Sequence, residues 1–299
     1  MVSQRALIDY MGERNWESVC VALHTAMSEQ LSSSTIFESG SPTHVIGRAG
    51  EVHEQVVSTM DVCRRRAREG VADGYAVLAE EQTEGRGRRT DWRCEPGAGL
   101  LISVFLGRAL PRGRRMVLSA LGAVAAAEAV RGFGVRAFIK WPNDVVVARR
   151  DDQLELKKLG GVLVEPVRRS EAAPLHVLGL GVNVNQDAEQ LPRATNIPPQ
   201  SLRLERGGEP VDRNVLARRV LARLDRYYEQ MFRTGGGELL NRWRELSCLL
   251  GRTVTVESGG CRFPVRVNDI KETGELSVRT ADGRRLELGD QRARVVLDS

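Results

Sequence analysis

The spacing of apolar residues changes character at Gly251, and no other feature restricts the fold as much. Upstream, short apolar runs alternate with stretches of helical spacing. "YAVLAE" (75–80), "LLISVFL" (100–106), "RAFIKW" and "DVVVA" around Pro142-Asn143, "GVLVEPV" (161–167) and "LHVLGLGVNV" (175–184) read as strands. Helices are expected over roughly 59–69, ending at Gly70, and over the Ala-rich 114–134, closed by Gly132 or Gly134. A third is capped by Asp212, with Leu216, Val220, Leu224, Tyr228 and Met231 on one face, and a fourth follows Gly235-Gly236-Gly237. Downstream of Gly251 the period is two. "TVTVES", "FPVRVNDI", "ELSVRT", "RRLELGD" and "ARVVL" are separated by turns at Gly259-Gly260, Thr273-Gly274 and Asp282-Gly283. Five strands this short predict a small SH3-like barrel. The fold class is therefore α+β: a central mixed β-sheet with packed helices over 45–249, and the barrel over 250–299. Residues 1–44 form an N-terminal extension. Asn15 caps a helix with Trp16, Cys20, Leu23, Met27 and Leu31 on one face, and "SSSTIFESGSPTH" (32–44) reads as a linker.

No apolar run approaches the ~20 residues of a membrane span. The N-terminus carries acidic residues and no apolar h-region, so no secretory signal is read there. The five cysteines are scattered without a CxxC spacing, which argues against a zinc site and a disulfide framework. The cytoplasm is the default compartment. The net charge of +5 comes from arginines spread over many segments, so a solvated surface or an anionic small substrate explains it.

Three segments carry chemistry. "EEQTEGRGRRTDW" threads two glycines among Arg86, Arg88 and Arg89, with Trp92 just beyond. Forked guanidinium donors and close backbone N–H groups suit phosphate, and an indole can stack on a planar base. By itself the pattern also fits an exposed hairpin tip, and its glycines predict a mobile loop that ligands order. "FIKWPNDVVV" places Pro142, Asn143 and Asp144 in a tight turn that could present both polar side chains rigidly. "KKLGGVLVE" and "LGLGVNV" bring Lys157, Lys158, Gly179, Gly181 and Asn183 into or beside buried strands. A solvated charge accounts for Lys157. Lys158 fits a solvated charge or a site about equally, and Asn183, an amide between valines, faces either a partner or a site.

In that order, "EEQTEGRGR", "KWPNDVVV", "KKLGGVLVE" and "LGLGVNV", followed by a small C-terminal β-domain, resemble the biotin protein ligases over about 45–299. The resemblance implies a biotin/lipoyl ligase-like catalytic domain. It implies formation of biotinyl-5′-adenylate from biotin and ATP with Mg2+, then transfer of biotin to a lysine of the biotin carboxyl carrier domain of a biotin-dependent carboxylase. By the same resemblance Ser58, Thr59, Gln82, Gly85, Arg86, Lys158 and Gly179 bind biotin. Arg88, Arg89, Trp92, Asn143 and Asn183 bind ATP, and Lys158, Arg86 and Asp144 are catalytic. No metal ligand is assigned. Two positions depart from the family. Met60 stands where Asn or Gln is usual, and Thr90-Asp91 replaces a Gly-Arg in a loop one residue shorter. A biotin-binding regulator, or a paralogue with weakened catalysis, is the alternative those departures keep open. Lipoyl or octanoyl transfer is disfavoured by the KWPND segment. An N-terminal DNA-binding domain is not evident. Residues 1–31 hold Arg5 and Arg14 against Asp9, Glu13, Glu17 and Glu29, a balance that phosphates would repel. Burial of the first helix against the core, or in a homodimer, is expected instead.

Overall fold

The computed structural model describes residues 30–37, 43–88, 91–110, 114–150, 154–168, 174–192, 196–289 and 293–296. The helix expected over 15–31 lies outside them, apart from its last two residues. Seven strands form the main sheet in the order β1-β2-β3-β7-β6-β5-β4. They are β1 (Gly50–Val56), β2 (Ala76–Gln82), β3 (Gly99–Leu106), β4 (Ala137–Lys140), β5 (Asp144–Arg150), β6 (Leu154–Val167) and β7 (Leu175–Asn183). Only β1 and β2 run parallel, so the sheet is mixed, as its alternation of helices and hairpins implied. Strand β6 starts seven residues before the expected run, and Gly160 and Gly161 lie inside it.

One face of the sheet is closed by α3 (Arg115–Arg131), α5 (Arg213–Thr234) and α6 (Gly237–Leu246). Small residues let α3 come close: a methyl group added at Gly122 would lie 2.7 Å from Val162 Cγ1. Asp212 caps α5 by accepting from the N–H groups of Asn214 and Val215. The opposite face is covered over part of its width by α2 (Thr59–Glu69). Met60, Cys63 and Ala67 of this helix pack on Val77, Phe105 and Val177. Gly70 ends α2 in the left-handed region at φ 102°.

The stretch read as a linker is partly ordered onto this body. Ser33–Ile36 form a helical turn, α1, and Ile36 is buried. The Leu31 N–H donates to Glu80 Oε1 at 2.5 Å, and Ser32 N–H to Asn214 Oδ1 at 2.9 Å. Downstream of β7, Leu202–Glu205 add a further turn, α4.

All five C-terminal strands form where the period-two pattern put them: β8 (Thr253–Ser258), β9 (Cys261–Ile270), β10 (Leu276–Thr280), β11 (Arg285–Leu288) and β12 (Ala293–Val296). They make an antiparallel sheet in the order β11-β10-β9-β8-β12. Trp141 Nε1–H donates to Gly274 O at 2.9 Å, and Arg244 grips Asp269 at 2.7 Å, so this sheet is bolted to the main body. Among the described residues no helix is long and apolar enough to cross a membrane.

Candidate active site

Beside α2 the sheet is open, and a cavity of about 590 Å³ occupies the gap. Its floor is β7, where Gly179 and Gly181 carry no side chain. Met60 covers Gly179, whose added methyl would lie 2.7 Å from Met60 Sδ. Trp92 covers Gly181 so closely that a methyl there would meet its Nε1 at 2.2 Å. These two glycines therefore let a thioether and an indole lie flat on the strand.

The inner end is a buried polar knot. Gln82 Oε1 accepts from both the N–H and the hydroxyl of Thr59 at 2.8 Å, and the Thr59 hydroxyl lies 2.8 Å from that of Ser103. Ser58 stands at the N-cap of α2, yet its hydroxyl caps nothing, and the residue lines the cavity. Gln82 turns its amide towards the 85–92 loop, 3.5 Å from Trp92 O.

That loop is closed on itself. Trp92 N–H donates to Gly85 O at 2.8 Å, and Arg86 pairs with Asp91 as a β-bridge. Only glycine fits at position 85, because a methyl there would lie 1.9 Å from Trp92 O. The two described arginines diverge. Arg88 donates to Asn143 Oδ1 across the cavity at 3.3 Å. Arg86 lines the rim but points to α2, where Asp61 takes both prongs of its guanidinium. Glu165 lies 3.7 Å away. Hydrogen bonding to Arg86 is the main cause that holds the Asp61 carboxyl below the usual range, against the opposing effect of burial. Arg89 and Thr90 lie outside the described residues.

The far wall comes from β4, β5 and β6. The cis Trp141–Pro142 bond lies in the turn that carries Asn143, whose Nδ2 donates to Val162 O at 2.5 Å. A register shift between Val145 and Val146 interrupts the β5–β6 ladder opposite Lys158. Such bulges re-aim side chains. Lys158 Nζ thereby reaches Asp144 Oδ1 at 2.6 Å and sits 5.6 Å from the centre of the Trp92 ring. Lys140, in contrast, is 8% exposed. Burial pushes its pKa down, while nearby Asp144 works the other way. Asn183 lines the cavity with both ends of its amide engaged, by Gln200 O at 3.0 Å and Gln186 Nε2 at 3.4 Å.

Ser58, Thr59, Gln82, Arg86, Arg88, Trp92, Asn143, Asp144, Lys158, Gly179 and Asn183 thus all reach one cavity, and Gly85 braces its loop. Sequence reasoning missed Ser103, Asp61, Arg262 and Arg294. Ser103 had a signal, a lone hydroxyl within an apolar strand. Asp61 had none beyond lying next to Met60. Arg262 and Arg294 line the cavity from the C-terminal sheet, and strand periodicity does not say which element a sheet will face.

The model of the Biotin/lipoate A/B protein ligase family matches residues 52–183, a span that begins in β1 and ends with β7. The biotin–[acetyl-CoA-carboxylase] ligase of Mycobacterium tuberculosis is 32% identical over 230 residues, covering 72% of this chain and 77% of that protein. The bifunctional ligase/repressor BirA of Bacillus subtilis is 27% identical over 256 residues, covering 85% of this chain and 76% of that protein. Among solved structures, the biotin protein ligase from Aquifex aeolicus in complex with biotin and ATP superposes with a TM-score of 0.67 at 25% identity. That match covers 84% of this chain and all of the other. With its mixed sheet, its polar-ended cavity and these relatives, the chain belongs to the biotin protein ligase family and is a ligase.

Proposed function

We propose that the protein activates biotin with ATP as biotinyl-5′-adenylate and then passes biotin to a lysine of a biotin carboxyl carrier domain. The observation that carries this reading is the meeting of Lys158, Arg88 and the Trp92 face in the cavity whose other end is the Thr59–Gln82–Ser103 knot. Polar groups fixed at one end orient a ring with hydrogen-bonding edges, with the Ser58 hydroxyl as a further donor. Cations at the other end offset the repulsion between the biotin carboxylate and the α-phosphate. A carboxylate oxygen attacks phosphorus, and pyrophosphate leaves. The carrier lysine, as a neutral amine, then attacks the acyl carbon, and AMP leaves. Asp144 is the carboxylate placed to take up the proton.

Arg88 is assigned to the phosphate side ahead of Arg86, because Asp61 already fills the Arg86 fork. Trp92 offers its face to adenine, and Asn143 orients Arg88. Among the described residues no cluster of His, Cys, Asp and Glu could cage a metal. That fits Mg2+ arriving on the nucleotide phosphates, held by few protein ligands, with Asp144 the nearest carboxylate to Lys158. When bound, it would shield phosphate charge. The C-terminal sheet is read as an SH3-like barrel, the domain bounds as 45–249 and 250–299, and the compartment as the cytoplasm.

The weakened-paralogue reading rested on Met60 and Asp91. Met60 packs on Gly179 as an apolar wall, and the Asp91 carboxylate, which lines the cavity, is already paired with Arg93 at 3.2 Å. Repression, which the name of the Bacillus relative includes, is not assigned to this chain. The test is incubation with biotin, Mg-ATP and an unmodified carrier domain, followed by mass spectrometry of the carrier. ATP-dependent addition of one biotin is expected. Tight biotin binding without pyrophosphate release would replace this reading with that of a binding regulator.

A further inference from the structure

We propose that the outer face of the C-terminal sheet is the docking surface for the carrier domain, through an acidic face of that partner read by a row of three arginines. The inference rests on the ligase reading above for the identity of the partner. It starts from strand register. In β9, β10 and β11, Arg266 is paired directly with Arg279, and Arg279 with Arg285. All three are exposed. Directly paired residues on adjacent strands hold their Cβ atoms about 5 Å apart, and like charges there destabilise a sheet.

Nothing among the described residues relieves the repulsion, for no carboxylate lies within ion-pair distance of any of the three. The same sheet shows how charge is handled where only stability is at stake. In the row made by β12, β8 and β9, Arg294 pairs with Glu257, and Glu257 with Arg262. That carboxylate accepts from Arg294 at 2.7 Å and from Arg262 at 3.0 Å. Signs alternate in one row and do not in the other. A row of unrelieved arginines therefore weakens the free protein, and an acidic partner would offset that cost.

Position says which partner. Along β9, Arg262, Pro264 and Arg266 share the outer face, because Val265 and Val267 between and beyond them are buried. Arg262 and Arg294 also line the cavity. The face thus starts at the cavity rim and reaches Arg266 about 13 Å further along the strand, at ~3.3 Å per residue. From there the row extends about 10 Å across two strand spacings. In the proposed reaction the carrier is the macromolecule whose lysine must enter this cavity. A nucleic acid lying on the same face would obstruct that entry.

The test uses the full chain with Arg266, Arg279 and Arg285 all changed to Ser, and separately Arg279→Glu. An unmodified biotin carboxyl carrier domain of an acetyl-CoA carboxylase serves as probe, in binding titrations and in transfer assays. The KM and Kd for the carrier should rise at least tenfold in the triple variant and their salt dependence should flatten. Pyrophosphate release from biotin and ATP alone should be unchanged. The melting temperature should hold or rise, which separates this outcome from misfolding. A carrier KM within twofold of wild type, with transfer intact, would overturn the surface and leave the ligase reading standing. Arginine-dependent binding without transfer would do the reverse. A wild-type protein that neither binds nor modifies the carrier overturns both, whereas arginine-dependent duplex DNA binding accompanied by an unchanged carrier KM overturns the surface alone.

Discussion

Arg86 and Asp61 form a two-pronged ion pair, Nη1 to Oδ2 at 2.7 Å and Nη2 to Oδ1 at 2.8 Å, that ties the cavity loop to α2. Arg64 supports it from the helix by donating to Asp61 at 2.9 Å and by pairing with Glu165. The glycines and arginines of this loop predict mobility until ligands order it. Residues 85–88 are instead braced from two sides, by this pair and by the Gly85–Trp92 backbone bond. In this arrangement Arg86 ties the loop to α2 rather than facing the cavity with its full fork.

Asp61→Asn should keep the shape and lose the charge. The KM for biotin or ATP is expected to rise about tenfold with a smaller change in kcat, because a loosened loop weakens binding in ground and transition states alike. The pair's side chains are more than a third exposed, so the stability loss should stay below about 1 kcal/mol. The carboxyl titrates lower in the folded chain than in the unfolded one. Its contribution is therefore complete above an ordinary Asp pKa of about 3.9 and fades as pH falls through the lower folded value. Amide exchange across 85–88 should be insensitive to pH-linked opening near neutrality. Wild-type kinetics in the variant would remove the loop's anchor from the account.

Lys158→Ala should lower pyrophosphate release roughly a hundredfold, about 3 kcal/mol, while biotin affinity changes much less, since the ammonium meets charge that grows towards the transition state. Asp144→Asn should spare adenylate formation more than transfer. Equal losses in both half-reactions for both variants would show that Lys158 and Asp144 serve only each other.

Gly181→Ala and Gly179→Ala test the two ends of the floor. A methyl at 181 meets the Trp92 indole at 2.2 Å and must displace it. A shifted tryptophan emission and an ATP KM raised about tenfold are expected, with a stability cost of about 1–3 kcal/mol from overpacking. A methyl at 179 meets the flexible Met60 side chain, so the effect should fall on biotin KM and be smaller. ATP dependence unaffected by Gly181→Ala would mean that Trp92 does not contact the nucleotide.

Arg213 is 1% exposed and bonds to Glu80 Oε2 at 2.7 Å, while the same carboxylate accepts from Gly97 N–H and, through Oε1, from Leu31 N–H. Removing one partner strands a buried charge. Arg213→Ala should cost about 3–5 kcal/mol in denaturant unfolding, and the double change Glu80→Leu with Arg213→Met should recover only part of it, because the Leu31 and Gly97 N–H groups then lose their acceptor. A single variant as stable as wild type would mean that water already screens this pair.

The elements themselves were legible in the chain. Each follows from a period of burial written residue by residue, as in the spacing from Leu216 to Met231 or the alternation after Gly251, and from local stops such as Gly70 and Asp212. The KWPND turn and the two glycines of β7 could be marked as site residues for the same reason, because a turn or a missing side chain is a local fact. What the chain could not state was which distant charges would meet. Arg86 reads identically whether it faces a phosphate or Asp61, and the direct pairing of Arg266, Arg279 and Arg285 exists only once three strands take one register. Nor did the period of β8–β12 say that Arg262 and Arg294 would border the cavity. Periodicity reports whether a residue is buried and is silent on its neighbours. Those depend on how elements pack in space, so partners, register and the closure of the cavity were decided by the tertiary structure alone.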